Sequence, residues 1–306
     1  MNNRLHGTIA VTGLTGFIGG RLSAKLLDLC ADVRAIVRSE KPLRAGIRPW
    51  RVSLGDVQGL REALAGVDAV VHLAGAVRGR RFEDFRDVNI DAVANLCTAI
   101  DAQAQPPSLL LVSSLAARQP ELSDYASSKR AGEEVLGAWP HLDHTILRPP
   151  AVYGPGEVEM RPLFDWMRRG LTVIPGNRNQ RLAFLHVDDL AEAIIAWLRD
   201  PGRCRHGRFE IDDGTPDGYD WPAIACAAGA PRSRTVVVPA ALLDGMARVN
   251  LAASKLFGYA PMLTPGKVRE LTRECWTGAD GTFGTITGWR PRYDLTGGLQ
   301  QMYDGG

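Results

Sequence analysis

The chain contains 306 residues, of which 45% are hydrophobic, and its 36 Lys and Arg against 34 Asp and Glu leave a net charge of +2. This size and composition are typical of a soluble globular protein with two domains or one large one. The near balance of charges provides no excess of cations for a phosphate backbone, so we expect no nucleic-acid partner, and the apolar stretches are interrupted well before the roughly 18 residues that a membrane span needs.

The N-terminal residues and the cysteines bear on the compartment. The first residues, MNNRLHGTIAVTG, lack the basic and apolar regions of a secretory signal. The five cysteines are odd in number and scattered, with no CxxC pair and no Cys/His cluster. We therefore expect reduced thiols in a cytoplasmic protein and no metal site.

Apolar runs of strand length alternate with helix-length periodic segments through the first half of the chain. Strands are predicted at residues 8–12, 33–37, 52–54, 69–73 and 109–112. Helices are predicted at residues 19–30, 60–64 and 88–100. This alternation is typical of a parallel α/β sheet, and the unbroken apolar character of residues 109–112 indicates a strand covered on both faces.

The second half of the chain is less regular. Helices are predicted at residues 126–136, 163–169 and 190–198, and a strand at residues 145–147. Asp188 and Asp189 provide N-cap chemistry at the start of the helix at 190. We predict an α/β fold with a Rossmann-type doubly wound parallel sheet in residues 1–150, to which about residues 183–200 return. A smaller, mostly helical substrate-binding region is predicted in residues 151–306.

The most informative local motif is the glycine-rich segment Thr-Gly-Leu-Thr-Gly-Phe-Ile-Gly-Gly at residues 12–20, between the first predicted strand and the first predicted helix. Gly13 permits a tight turn, Gly16 lets the backbone approach a pyrophosphate, and Gly19 allows the helix to pack closely on the strand. The free N–H groups and the positive dipole end of the helix would hold the phosphates. The motif therefore predicts a dinucleotide cofactor.

A candidate catalytic group follows in the sequence. Tyr125 and Lys129 are four residues apart, so both side chains project from one face of a helix. The Lys129 ammonium favours the phenolate, so we expect the pKa of Tyr125 to lie below its usual value of about 10. Ser113 and Ser114 follow the strand predicted at 109–112, at the edge where open α/β sheets bind ligands. Tyr125 would exchange a proton with a carbonyl or alcohol oxygen that Ser114 holds.

Several motifs taken together resemble one protein family. The GxxGxxG spacing with Thr-Gly in front resembles the turn of the extended short-chain dehydrogenase/reductases, the NAD-dependent epimerase/dehydratase family. The other matching motifs are Gly55-Asp-Val57, Val71-His-Leu-Ala-Gly75, Val88-Asn89, Tyr125-Ala-Ser-Ser-Lys129, Arg148-Pro-Pro-Ala-Val-Tyr-Gly-Pro155 and Phe184-Leu-His-Val-Asp-Asp189. The resemblance covers about residues 8–198, whereas residues 199–306 match only loosely.

The resemblance implies a set of site residues. It places Ser114, with Ser113 as the alternative, beside Tyr125 and Lys129 in catalysis, and it gives Asn89 the role of holding Lys129 through a water. A structural role for Asn89 is an equal alternative. The residues implied to bind the cofactor are Gly13, Thr15, Gly16, Phe17, Ile18, Gly19, Arg38, Asp56 (at the adenine), Val57, Leu73, Ala74, Gly75, Ser113, Tyr125, Lys129, and Pro149 and Val152 (at the nicotinamide).

The end of the second predicted strand distinguishes NAD from NADP. An acidic residue there would accept a hydrogen bond from the ribose 2′-hydroxyl, whereas an arginine suits a 2′-phosphate. No acid ends the strand at 33–37, but Arg38 and, further on, Lys41 could pair with a phosphate. We therefore expect NADP, with NAD as the alternative.

Two departures from the family pattern bear on the reaction. Dehydratases place an acidic pair after the catalytic hydroxyl, but Leu115-Ala-Ala follows Ser114, which disfavours dehydration. Epimerases usually carry an Asn after the family's Arg, where this chain has Arg148-Pro-Pro-Ala151. We predict an NAD(P)-dependent oxidoreductase that acts on a ketone or an alcohol, a small-molecule substrate. A nucleotide-sugar epimerase or 4-reductase is the alternative, and a non-catalytic dinucleotide-binding subunit is a second one.

The sequence does not identify the substrate. Scattered arginines could bind a diphosphate, and large hydrophobic residues could line an apolar pocket, although solvation and core packing explain them more simply. These candidates are Arg161, Arg168, Arg169, Arg178 and Arg181, and Phe82, Phe85, Phe164, Trp166 and Met246. His72 and His186 are expected to be structural. The resemblance further implies a homodimer through the helices that contain residues 88–100 and 126–129.

Overall fold

The computed structural model describes residues 5, 7–29, 32–40 and 42–304, so Cys30 and Lys41 lie outside the described residues. Within this part of the chain, seven parallel strands form a central sheet. Their order across the sheet is β11 (Arg208–Glu210), β6 (His144–Arg148), β5 (Ser108–Val112), β4 (Ala69–His72), β1 (Thr8–Thr12), β2 (Asp32–Val37) and β3 (Arg48–Arg51).

Helices follow most of these strands. They are α1 (Phe17–Asp28), α2 (Val57–Ala63), α3 (Glu83–Arg86), α4 (Ala92–Asp101), α5 (Asp124–Val135), α6 (Arg161–Arg168), α7 (Val187–Arg199), α8 (Trp221–Ala227), α9 (Ala240–Phe257), α10 (Pro265–Thr272), α11 (Thr282–Thr287) and α12 (Leu295–Asp304). In the described residues, no helix is both long and apolar enough to cross a bilayer.

The central sheet is covered on both faces because its strands alternate their side chains between two cores. In β1, Ile9 and Val11 pack with residues of α1 and α7, whereas Ala10 packs with residues of α2 and α4. Both cores are built from fully buried aliphatic side chains, whose removal from water is the main stabilising contribution. The Rossmann-type doubly wound sheet predicted from the sequence is confirmed.

The third strand differs from its prediction. It lies at Arg48–Arg51 rather than at residues 52–54, and all four of its residues are exposed. It is an edge strand that pairs with β2 alone among the described strands, and it contains Pro49, which an edge tolerates. An exposed edge strand has no apolar pattern, so the prediction from apolar runs fell on residues 52–54, directly after the strand.

Two helix starts also differ from their predictions. The helix predicted at 88–100 is preceded by α3 and by a wider π-helical turn at Asp87–Asp91, and α4 begins only at Ala92. The cap of α7 is His186, whose Nδ1 accepts a hydrogen bond from the Asp188 backbone nitrogen at 3.2 Å. The prediction that Asp188 and Asp189 cap this helix is therefore wrong, because both lie in its first turn.

The remaining strands form three parallel pairs outside the central sheet. They are β7 (Ala151–Tyr153) with β10 (Phe184–His186), β8 (Leu171–Pro175) with β12 (Arg234–Val238), and β9 (Arg181–Leu182) with β13 (Cys275–Trp276). A third core, which includes Tyr153, Phe164, Trp221 and Leu299, joins these strands to α6, α8 and α12. The second half thus contains short strands that the sequence analysis missed, and β11 also adds a strand to the central sheet.

Candidate active site

The glycine loop lies between β1 and α1. Gly13 has a left-handed backbone with φ of +74°, and a Cβ on it would lie 2.6 Å from the Ala74 backbone nitrogen. A Cβ on Gly19 would overlap the Gly13 carbonyl oxygen, so this glycine lets α1 approach the loop. The N-cap Gly16 has no side chain to cap α1, and the first N–H groups of the helix are directed to an incoming anion. This cradle fits the pyrophosphate of a dinucleotide.

Arg38 follows β2 directly and is exposed. Among the described residues, no carboxylate pairs with its guanidinium. The next acid along the chain, Glu40, forms an ion pair with Arg51 at 2.7 Å. Asp56 is the N-cap of α2, and its Oδ1 accepts a hydrogen bond from the Gly59 backbone nitrogen at 3.0 Å. Two charged residues were expected at the adenosine end of the cofactor. Arg38 has no carboxylate partner among the described residues, and the Asp56 carboxylate already accepts one hydrogen bond as a helix cap.

A cavity of about 360 Å³ adjoins the glycine loop. Its lining residues are Leu14, Thr15, Gly20, Ser23, Pro42, Leu43, Arg44 and Ile47. Arg44 places a second exposed cation on this side of α1, and the sequence analysis missed it because the segment carries no motif.

The loop after β4 lies against the end of β1. The Thr12 hydroxyl is 2.7 Å from His72 Nδ1 and accepts a hydrogen bond from the Ala74 backbone nitrogen at 3.2 Å. His72 is fully buried, and burial, together with the charge of Lys129, lowers its pKa to about 3. His72 is therefore neutral and joins the two strand ends, as expected for a structural residue.

Ser114, Tyr125 and Lys129 converge beyond the end of β5. Ser114 precedes a 3₁₀ turn, Tyr125 is the second residue of α5, and Lys129 lies one turn later. The Ser114 hydroxyl is close enough to the Tyr125 phenol to act on its pKa. The Lys129 ammonium donates to the Val112 carbonyl at 3.1 Å and lies 3.5 Å from the position of a Cβ on Gly75. Lys129 therefore reaches the loop after β4, and Ala74 of that loop lies against Gly13 of the glycine loop.

The pKa of Tyr125 is shifted opposite to the prediction. Burial of the phenol and, to a smaller extent, the negative charge of Glu270 raise the pKa of Tyr125 to about 12, although the hydrogen bond with Ser114 opposes this shift. Burial also lowers the pKa of Lys129 to about 8, opposed by the charge of Glu133. The expectation failed because desolvation outweighs the opposing interaction with Ser114, while the Lys129 ammonium binds a backbone carbonyl.

Asn89 occupies the π-helical turn before α4. Its Nδ2 donates to the Ala76 carbonyl at 3.0 Å and to Ser128 Oγ at 2.9 Å, and its Oδ1 accepts from the Ala76 nitrogen at 2.9 Å. Helix α5 reaches this turn at Gly132, where a Cβ would overlap the Asn89 carbonyl oxygen. Asn89 therefore ties the loop after β4 to the helix of Tyr125, and its direct bonds are structural.

Ser113 points away from Tyr125. Its hydroxyl donates to Glu133 Oε1 at 2.5 Å, and Glu133 forms a two-point ion pair with Arg148 at 2.9 and 2.6 Å. Arg148 also reaches Glu210 of β11 at 3.3 Å. Because Ser113 belongs to this buried network, the choice between the two serines favours Ser114. The sequence analysis missed Glu133, although its position one turn after Lys129 was available as a signal.

The other residues expected at the cofactor lie on neighbouring loops and helix starts. Phe17 and Ile18 begin α1, and Val57 begins α2. Pro149 accepts a hydrogen bond from the Leu115 backbone nitrogen at 2.8 Å, and Val152 lies in β7 just beyond it. These segments follow the ends of β1, β3 and β6, and a doubly wound sheet holds its ligand beyond the ends of its strands.

A second cavity, of about 210 Å³, lies over Tyr125. The chain contributes residues from two distant regions to its walls. The lining is Val77, Gly79, Arg80, Phe85, Ser123, Asp124, Tyr125, Leu251, Pro261, Met262, Thr264, Pro265, Gly266, Lys267, Arg269 and Glu270. The Phe85 ring lies 6.1 Å from the Tyr125 ring between centroids. The cavity therefore combines an apolar wall with several charged groups above a candidate proton donor.

Glu270 of α10 is the acidic residue whose charge acts on Tyr125. It is buried, accepts a hydrogen bond from Ser123, the N-cap of α5, and pairs with Lys267 at 2.8 Å. The Lys267 ammonium lies 5.9 Å from the centre of the Tyr125 ring. Neither residue was found from the sequence, because residues 199–306 carry no motif that relates them to Tyr125.

Most of the substrate candidates from the sequence lie elsewhere. Phe85 lines the cavity over Tyr125, but Phe164 is part of the third core, and Trp166 and Met246 are about half exposed. Among the described residues, none of the five candidate arginines lines this cavity. Arg161 and Arg168 lie over the ring of Tyr303, and Arg181 pairs with Asp220.

Comparison with known proteins shows the family of this chain. Residues 9–211 match the NAD dependent epimerase/dehydratase family. The chain is 34% identical to the ceramide reductase of Caulobacter vibrioides, with 94% of each chain covered. It is 29% identical to the 2-alkyl-3-oxoalkanoate reductase of Stenotrophomonas maltophilia over 73% of this chain and 76% of that protein.

A solved structure gives the same picture of the fold. The human epimerase family protein SDR39U1 with NADPH superposes with a TM-score of 0.74 at 20% identity, covering 98% of this chain and 100% of that one. At this identity the likeness concerns the fold alone. The match over two thirds of the chain shows that this protein belongs to the NAD-dependent epimerase/dehydratase family of extended short-chain dehydrogenase/reductases and is a nicotinamide-dependent oxidoreductase or epimerase.

Proposed function

We propose that this protein is an NADPH-dependent reductase that converts a ketone on an alkyl-chain substrate to an alcohol. The observation that carries the proposal is the pairing of Ser114 with Tyr125, which lines a cavity whose walls include Val77, Phe85 and Leu251. The names of the two relatives support it, since ceramide and an alkylated oxoalkanoate both carry alkyl chains and both relatives are reductases.

Ser114 and Tyr125 bind the carbonyl oxygen in this proposal. The raised pKa of Tyr125, about 12, keeps its phenol protonated at neutral pH, which is the state that donates a proton to that oxygen. The nicotinamide, when bound, supplies the hydride. Lys129 then faces the phenolate that remains, and its lowered pKa of about 8 means that its charge is lost in mildly alkaline solution.

The preference for NADPH rests on charge at the end of β2. Arg38 lacks a carboxylate partner among the described residues, and Glu40 is already paired with Arg51. Arg44 lines the cavity beside the glycine loop. A free guanidinium suits a 2′-phosphate better than a 2′-hydroxyl. In this proposal residues 1–150 hold the cofactor, with Asp56 available to the adenosine, and residues 151–306 complete the substrate site. The homodimer and the cytoplasmic location stay predictions.

A nucleotide-sugar epimerase or 4-reductase is the second candidate. The observation in its favour is the set of cations Arg80, Lys267 and Arg269 around the cavity, which could receive a diphosphate. Against it, Pro150 and Ala151 stand where epimerases usually carry an Asn. A purely dinucleotide-binding subunit is not supported, because the whole Ser114, Tyr125 and Lys129 set is present.

The test is the variant Tyr125→Phe. We expect turnover of 3-oxoalkanoate esters with NADPH, followed by the absorbance of the reduced nicotinamide, to fall by about 100-fold or more, because the proton donor is lost. NADPH affinity, measured by fluorescence, should stay nearly unchanged. Tyr303→Phe is the matched control, since its hydroxyl binds Asp165 in the second half of the chain.

Turnover that survives in Tyr125→Phe would refute the role of this phenol. Turnover of UDP- or dTDP-sugars by the wild type, with no activity on oxoalkanoates, would establish the second candidate instead.

A further inference from the structure

The outward face of α9 is unusually apolar. Of the twelve large hydrophobic side chains exposed in the described residues, eight lie between residues 236 and 271. Six of them form what we call the α9 surface: Leu242, Met246, Val249, Leu256, Phe257 and Tyr259. Exposed apolar groups that cluster in this way mark an interaction site more often than chance.

Helical spacing explains why these side chains share one face. Leu242, Met246 and Val249 follow at intervals of four and three residues, and Leu256 comes two turns later. The opposite face of α9 is inside the protein, where Ala247 and Ser254 are fully buried. Leu251, on that inner side, lines the cavity over Tyr125. One helix therefore separates the substrate cavity from an apolar outer surface about 27 Å long.

The charges around the α9 surface are mainly positive. Residues 240–273 contain five basic and two acidic residues, although the whole chain has a net charge of only +2. The two acids are already used, because Asp244 pairs with Arg248 and Glu270 is buried against Ser123 and Lys267. Lys255 and Arg273 are exposed cations of this segment that form no ion pair among the described residues. An apolar face with a basic rim complements an anionic lipid surface.

We propose that the α9 surface docks on an anionic lipid bilayer and so presents the cavity over Tyr125 to alkyl-chain substrates held there. This step rests on the proposed function for the nature of the substrate. A second copy of the chain is the less favourable occupant, because a twofold contact would bring two like-charged rims together. Phe257 and Tyr259 at the end of α9 are the aromatic types that sit at a bilayer interface.

The test is vesicle flotation of the full chain. We expect the wild type to float with vesicles of phosphatidylglycerol and phosphatidylcholine, less with phosphatidylcholine alone, and less again at high salt because the charges are screened. The double variant Val249→Glu/Leu256→Glu should bind vesicles at least about tenfold more weakly, because two apolar side chains that would enter the bilayer become charged. Both side chains are more than 70% exposed, so the fold should tolerate the change.

Val158→Glu is the matched control, because Val158 is 70% exposed against 71% for Val249 but lies outside the α9 surface. Vesicle binding that is absent in the wild type, or equal in the wild type and the double variant, would overturn the proposal. A wild-type dimer that does not bind vesicles and that the double variant converts to a monomer would also overturn it, by assigning this face to a second copy.

Activity on a water-soluble short-chain ketone separates this inference from the proposed function. The double variant should retain that activity in the absence of vesicles, because its substitutions face away from Tyr125. Vesicle binding without ketone reduction would leave the docking surface standing and refute the reductase, whereas reduction without vesicle binding would do the reverse.

Discussion

The two halves of this molecule build one site by different means. The sheet-forming half builds its ligand edge with backbone geometry, as in the close approach of Gly13 to Ala74 and of Gly19 to the Gly13 carbonyl. Residues 199–304 contribute side chains instead, chiefly Leu251, Lys267 and Glu270. Backbone geometry restricts which residue can stand at a position, whereas a wall of side chains can be built in many ways. The difference explains why the family match ends at residue 211.

The variant with the largest expected effect is Gly132→Ala in α5, which tests whether the first half depends on close backbone contacts. An alanine usually stabilises a helix relative to glycine by about 1 kcal/mol. Here its Cβ would overlap the Asn89 carbonyl oxygen, so we expect a net loss of about 2 kcal/mol or more in the free energy of unfolding, measured by urea denaturation.

Gly137→Ala is the control for that variant, because the position opens onto free space. Its stability should stay the same or rise slightly. Equal effects of the two substitutions would show that α5 does not depend on a close backbone contact at the π-helical turn.

Arg38→Ala tests whether a side chain of the first half determines the choice between NADPH and NADH. We expect NADPH to bind about ten- to a hundredfold more weakly while NADH binding changes little, because a charge-assisted hydrogen bond to the 2′-phosphate is lost. Isothermal titration with both dinucleotides measures this. Arg51→Ala, which removes an exposed arginine already paired with Glu40, should affect neither. Equal losses for the two dinucleotides in Arg38→Ala would mean that Arg38 does not distinguish them.

Glu270→Gln tests whether a side chain of the second half changes the pKa of Tyr125 in the first half. Its expected effect is the smallest of these predictions. The Glu270 charge raises the pKa of Tyr125, so its removal should lower that pKa. Alcohol oxidation needs the phenolate and increases with pH, so the rise in its pH–rate profile should move to lower pH in the variant. Glu274→Gln, an exposed neighbour, is the control. An unmoved profile would mean that Glu270 acts only as a structural partner of Ser123 and Lys267.

Sequence reasoning succeeded where a local pattern has a local cause. The alternation of apolar runs and periodic segments predicted the doubly wound sheet, and the glycine spacing predicted the turn between β1 and α1. It failed at β3 and at the cap of α7, because an exposed edge strand has no apolar signature and His186 competes with two better-known capping residues. It preferred Ser114 to Ser113 only through the family resemblance, because the two residues are adjacent and chemically identical.

Some properties of this protein follow from its sequence alone. Short sequence motifs were enough to predict the family, the sheet and the residues Ser114, Tyr125 and Lys129, because each motif consists of residues near one another in the chain.

Tertiary structure alone decided the electrostatics and the outer surfaces. The pKa of Tyr125 is raised because burial and Glu270, 145 residues further along the chain, outweigh the opposing interaction with Ser114. The apolar face of α9 is exposed because Ala247 and Ser254 on its other side face the protein interior. The spacing of residues in the sequence does not show which side of this helix is buried. Burial and charge act through space, and distance in space is what a sequence does not record.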